Sequence, residues 1–95
     1  MDSEKNDKEV GFTGRTMSMG DYLQLKIPEN TVKSLGLEKG DLLNVKLRNM
    51  TGDSISVNRK VQCSGNQHRF YLPKKIIDEL DLEKSELVDV FVSKD

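Results

Sequence analysis

The chain is poor in the residues that most often announce chemistry. It has one cysteine, one histidine, no tryptophan and two prolines, with two tyrosines and three phenylalanines as its aromatics. The lone Cys63 excludes an internal disulfide, and with only His68 beside it the chain lacks the ligands for a structural zinc site. No glycine-rich phosphate loop, calcium-type acidic loop or Ser/His/Asp spacing occurs, so neither an enzyme nor a cofactor is expected. Cys63 reads as a small half-buried hydrophobe, and His68 as a solvated or hairpin-capping residue. No apolar run is long enough to cross a bilayer, and Met1 opens no charged-then-apolar leader. The expectation is a cytoplasmic protein with no membrane association.

Charge of one sign is also lacking overall: the net charge is −1, which gives no global pull toward nucleic acid. Locally the balance breaks. Residues 59–75 hold Arg59, Lys60, Arg69, Lys74 and Lys75 with no acid, net +5, whereas residues 76–95 carry a net −5. Two differently solvated faces would explain this, and so would a functional basic patch.

With 95 residues, 35% hydrophobic and 33% charged, the chain has the makings of one domain with a modest core. Within that length it repeats itself. "LKIPENTVKSLGLEKGDLLNVKL" starts at Leu25 and "FYLPKKIIDELDLEKSELVDVFV" at Phe70, an offset of 45 without gaps. Eight positions are identical at that offset: Gly20/Gly65, Pro28/Pro73, Leu35/Leu80, Leu37/Leu82, Glu38/Glu83, Lys39/Lys84, Leu42/Leu87 and Val45/Val90. Apolar character persists at Leu25/Phe70, Ile27/Leu72, Val32/Ile77, Leu43/Val88 and Leu47/Val92. The reading is an internal duplication, repeat one over residues 12–52 and repeat two over 53–95, following an acidic, disordered tail over 1–10.

Each copy has a legible plan. Met19-Gly20-Asp21 and Ser64-Gly65-Asn66 have hairpin-turn chemistry. Leu23, Leu25 and Ile27 alternate with polar residues as a strand with one buried face. Pro28 suits the first turn of a short helix whose apolar side is read as Val32 and Leu35, matched by Ile77 and Leu80. Gly36 suits the left-handed position after that helix, and Leu37 packs back onto it. Leu43, Val45 and Leu47 alternate again. The second copy puts Asp81 and Ser85 where the first has Gly36 and Gly40, so its turns should carry backbone strain. "DSISVNRKVQ" between the copies reads as a strand that closes the first, opens the second, or does both.

A strand ending in Ile/Leu-Pro, a two-turn helix, Leu-Gly-Leu, then Gly-Asp and an apolar strand resembles the AbrB/SpoVT family. "LQLKIPENTVKSLGLEKGDLLNVKL" matches well and "RFYLPKKIIDELDLEKSELVDVFV" more weakly, together covering about residues 12–95. The spacing of Gly20 before Pro28 is similar to the archaeal branch. The resemblance implies a mainly β fold with short helices. Two intrachain repeats would form one swapped-hairpin, pseudo-dimeric β-barrel. One 45-residue copy cannot bury enough apolar surface to offset its chain entropy, but two can.

The resemblance also implies a DNA-binding transcriptional regulator that grips duplex DNA with basic residues of the hairpin loops and helix starts. The family's strand arginine falls on Gln24 in the first copy and Arg69 in the second. Its basic pair before Leu-Gly falls on Val32-Lys33 and Ile77-Asp78. Only Arg69 and Lys33 therefore match, and Arg15, Arg59, Lys60, Lys74 and Lys75 complete the expected DNA-binding set. The alternative is a non-catalytic interaction module with a protein partner, antitoxin-like or a dimerisation headpiece. An antitoxin would need a toxin-wrapping tail after the domain, where this sequence has Ser93-Lys94-Asp95. Self-association beyond the intrachain pair stays open. Tyr22, Phe70 and Tyr71 read as too few and too scattered to form a stacking platform for single strands.

Overall fold

The computed structural model describes residues 8–20 and 22–95. Of the expected tail, residues 1–7 lie outside that range. At its end Lys8 Nζ donates to the Ser34 carbonyl, and Val10 already belongs to the first strand.

Ten elements follow in order: β1 (Val10–Arg15), β2 (Met17–Met19), β3 (Tyr22–Ile27), α1 (Glu29–Leu35), β4 (Leu42–Arg48), β5 (Ser54–Lys60), β6 (Gln62–Ser64), β7 (Gln67–Leu72), α2 (Lys74–Leu80) and β8 (Leu87–Lys94). Shifting by 45 carries each of β2, β3 and α1 onto β6, β7 and α2, residue for residue. The strands form two antiparallel four-stranded sheets, ordered β1-β8-β4-β5 and β2-β3-β7-β6. In the first sheet every ladder joins a strand from before Met50 to one after it. Val10 pairs with Val92, Leu47 with Val90, and Leu47 with Ile55 on its other side. In the second sheet β2 pairs with β3 and β6 with β7, while β3 and β7 join the halves through Leu25 opposite Phe70.

One core lies between the sheets. Leu23, Leu25, Ile27, Phe70 and Leu72 come from one side, and Leu43, Val45, Leu47, Val88, Val90 and Val92 from the other. The period-2 pattern that predicted these strands is the reason: alternate side chains of each strand point inward and leave water together.

The expected barrel is not closed. The chain passes from the first sheet to the second at Thr16 and at Val61, both fully buried. There the backbone pairs with helix–strand turns instead of with the neighbouring sheet. Thr16 donates to the Glu86 carbonyl and Val61 to the Asp41 carbonyl, at 2.9 and 2.8 Å. β1 comes near β3, and β5 near β7, without forming ladders. The single linker strand expected over 53–62 is accordingly two strands, β5 and β6, broken at Val61.

The helices differ in phase from the sequence reading. In α1 the buried residue is Thr31, with Val32 and Leu35 half-buried; in α2 Ile76 and Leu80 are buried and Ile77 half-buried. The buried stripe is thus 31/35 and 76/80, one residue earlier at its start than the expected 32/35 and 77/80. Both helices end in a left-handed residue, Gly36 at φ 63° and Asp81 at φ 53°. The Leu37 and Leu82 amides then return to the Val32 and Ile77 carbonyls. Ser85 adopts φ 64° where Gly40 has φ 90°. The two strained positions expected of the second copy are therefore the described non-glycine residues with positive φ.

Candidate nucleic-acid interface

The solvent face of the sheet β2-β3-β7-β6 follows from its register. Leu23, Leu25 and Ile27 point into the core, so Tyr22, Gln24 and Lys26 point out. On β7, Phe70 and Leu72 point in, and Gln67, Arg69 and Tyr71 point out. The ladder sets Lys26 opposite Arg69 and Gln24 opposite Tyr71. Gln62 continues the first row and Met17 the second. No carboxylate side chain points outward from the described strand residues of this face.

Arg69 is the best-defined cation on it. One terminal nitrogen, Nη1, donates to Gln24 Oε1 at 3.1 Å, and Nη2 donates to Gln67 Oε1 at 2.9 Å. Its Nε is buried without an acceptor. Two amides, rather than a carboxylate, therefore fix the guanidinium plane, so the side chain is oriented while its charge is left uncompensated. Gln24 is only 5% exposed, covered by its neighbours on an outward-facing position.

The other expected site residues divide by location. Lys74 and Lys75 are exposed in the first turn of α2, which holds no acid to offset them against the helix dipole. That turn follows Leu72 and Pro73, at the end of β7 away from His68. Lys33 is exposed on α1, 3.8 Å from the Glu29 carboxylate, in a loose pair that screens part of its charge. Arg15 and Lys60 lie on the solvent face of the other sheet, opposite Leu87 and Leu42. Arg15 Nη1 is engaged there by the Ser85 carbonyl at 2.8 Å. Arg59 stands opposite Leu43 on the core-facing side of β5, half-buried, with a buried Nε that has no acceptor. The structure thus brings Arg69, Lys74 and Lys75 to one sheet and its following helix. It sets Arg15, Lys60 and Arg59 elsewhere.

Sequence reading missed Lys26, which the ladder sets opposite Arg69. The usable signal was the duplication itself. If Leu25 and Phe70 are equivalent and face each other, an antiparallel ladder must put residue 26 opposite 69. Beside this pair an open groove of about 470 Å³ runs between the β3–α1 junction and the β6–β7 turn, lined by Lys26, Glu29, Lys33, Asn66, Gln67 and His68. Cys63 faces His68 across β6 and β7, both half-buried.

No helix among the described residues is long and apolar enough to cross a membrane. The chain matches no family model and no curated protein. A solved structure is similar: the solution structure of PHS018 from Pyrococcus horikoshii, with a TM-score of 0.73, 22% sequence identity, and coverage of 88% of each chain. At that identity the likeness speaks to the fold: mainly β, with two short helices and two antiparallel four-stranded sheets.

Proposed function

We propose that this chain is a non-enzymatic, cytoplasmic DNA-binding regulator of the AbrB/SpoVT-like type, and that it holds duplex DNA on the solvent face of β2-β3-β7-β6. The observation that carries the reading is Arg69, oriented by two amides, unneutralised by any described partner, and set opposite Lys26. Ammonium and guanidinium groups so arranged displace counterions from phosphates, and binding then weakens steeply with salt. Lys74 and Lys75 extend the positive potential along the following helix, and Lys33 adds less because Glu29 accompanies it. The architecture that goes with this reading is a pseudo-dimer of two swapped-hairpin copies fused in one chain. The element bounds repeating at 45, and the ladders of the first sheet all running between halves, support it.

A second reading, an interaction module, draws on the exposed apolar residues of the same face, Met17 at 51% and Tyr22 at 54%. The test is affinity for duplex genomic fragments from 50 to 200 mM salt, with Lys46→Ala on the opposite sheet as a same-charge control. Arg69→Ala and Lys26→Ala should each lower the salt slope by about one. A wild-type protein that binds no fragment would shift the assignment to the interaction module.

A further inference from the structure

The face that carries Arg69 is chemically polarised. On β3 and β7 its outward residues run from Lys26 and Arg69 at one end, through Gln24 and Tyr71, to Tyr22 at the other. Tyr22 lies one residue beyond Leu23, which pairs with Leu72, so it is the diagonal neighbour of Tyr71. Diagonal neighbours on adjacent strands stand about 7–8 Å apart, within reach of aromatic side chains. Two tyrosines that are 49 positions apart in the chain therefore share one patch, contrary to the scattered arrangement expected from sequence. Met17 adjoins them across Gln24, and both Tyr22 and Met17 are about half exposed. Beyond the tyrosines the chain enters α2 with Lys74 and Lys75. Aromatic rings thus follow one pair of cations along an open, antiparallel sheet, and the two lysines of α2 come after them in the chain.

Phosphates account for the cations but leave the tyrosines unused, because a duplex keeps its base faces stacked inside. An unpaired strand presents both chemistries together: π faces for aromatic side chains and a phosphate for each residue. We infer that, beyond duplex DNA, this face takes single-stranded DNA, with bases stacked on Tyr22 and Tyr71 and the phosphates held by Arg69 with Lys26, and by Lys74 with Lys75 where the strand continues toward α2. From Lys26 to Tyr22 the strand rises about 13 Å, room for a short run of nucleotides. DNA is favoured over RNA because Gln24, the acceptor between the cations and the tyrosines, is 5% exposed and turned to Arg69, which leaves it little surface for a ribose 2′-hydroxyl.

This inference rests on the reading of the face as a nucleic-acid interface, and one experiment separates the two. Fluorescence anisotropy of the full chain is measured with a labelled single-stranded DNA 12-mer, its duplex and the matching RNA. The single-stranded DNA should bind at least tenfold tighter than either. Tyr22→Ala with Tyr71→Ala should weaken single-strand binding about ten- to a hundredfold and duplex binding less than twofold. Tyr22→Phe with Tyr71→Phe should restore it, which separates stacking from folding. Arg69→Ala should weaken both ligands. Duplex binding tighter than single-strand binding overturns the inference and leaves the proposed function standing, whereas failure of all three nucleic acids overturns both. Tighter binding of RNA overturns the choice of DNA. A self-associated protein that the tyrosine-to-alanine variants render monomeric, with no change in single-strand affinity, assigns the patch to a second copy and overturns the inference.

Discussion

Thr16 fills a position where the two halves of the molecule solve one problem differently, and Thr16→Val tests how. Its equivalent is Val61, and both side chains are fully buried at the crossing between sheets. In the first half the turn after α1 closes on itself: the Asp41 amide donates to the Glu38 carbonyl at 3.0 Å. In the second half the Thr16 hydroxyl is inserted into that bond. It accepts from the Glu86 amide at 2.9 Å and donates to the Glu83 carbonyl. Valine preserves the volume and leaves both backbone groups without a partner. Two unmet groups would cost about 1–3 kcal/mol each if fully buried in a rigid site, and less here, where they are partly buried. The turn can recover some of this by closing as its counterpart does, so the expected loss is about 1–2 kcal/mol. Closure is hindered by Ser85, held at φ 64° where the first half has Gly40. Ser85→Gly alone should stabilise by roughly 0.5–1 kcal/mol. In its presence Thr16→Val should cost at least about 0.5 kcal/mol less, because the two residues act on one turn. Urea denaturation of the four proteins, at unchanged m-value, measures the cycle. A loss below about 0.3 kcal/mol for Thr16→Val, or an equal loss in both backgrounds, refutes the inserted-hydroxyl argument.

Three further outcomes follow from the same structure. Leu80→Ala, at a site 3% exposed, should cost about 2–5 kcal/mol, and Leu35→Ala, half-buried, clearly less; equal losses would mean that Leu35 is packed as tightly as Leu80. Asp41 accepts the Glu38 amide at 2.8 Å and lies 3.3 Å from Lys94 Nζ. The backbone hydrogen bond from Glu38 outweighs the upward push of burial and, with lesser help from the hydrogen bond and charge of Lys94, holds its carboxyl below the usual aspartate value. A depressed carboxylate contributes stability that is complete above its unfolded-state pKa and is lost as pH falls through the lower folded one. Asp41→Asn should therefore flatten the acid limb of the stability curve, and an NMR titration putting Asp41 at or above the usual value contradicts the assignment. Arg59→Met should not destabilise, since it removes a buried, acceptor-less Nε from a core-facing position; a loss above about 1 kcal/mol would mean that the guanidinium makes contacts that matter.

What could be read from the sequence was what each residue's neighbours decide. Alternation at Leu23, Leu25 and Ile27 gave β3, Pro28 its end, and Gly36 the stop of α1, because these depend on local geometry. The helix phase went astray by one because Val32 outranks Thr31 as a hydrophobe, yet Thr31 is the residue turned toward the core. In the second half Ile76 and Leu80 already have the helical spacing that shows the buried stripe. Barrel closure was not legible, since nothing local says whether the Thr16 and Val61 amides bond to a strand or to a turn. At the candidate interface, charge and resemblance alone named Arg69, Lys74 and Lys75. Lys26 and the Tyr22–Tyr71 patch needed the ladder between halves.

That ladder also bears on why two copies belong in one chain. Leu25 faces Phe70, and shifting by 45 exchanges the members of that pair, so the same shift exchanges Lys26 opposite Arg69 with Gln24 opposite Tyr71. In a dimer of identical chains these two rows would be the same row, because an isologous interface shows every residue twice. A cation facing a cation at one end would then be repeated at the other, with no place for the tyrosines. In the proposed fused pseudo-dimer that constraint is lifted. Residue 24 can be glutamine while 69 is arginine, and 26 lysine while 71 is tyrosine, so charge gathers at one end of the face and aromatic surface toward the other. Under the proposed function, this arrangement favours a ligand with direction along its backbone over a palindrome.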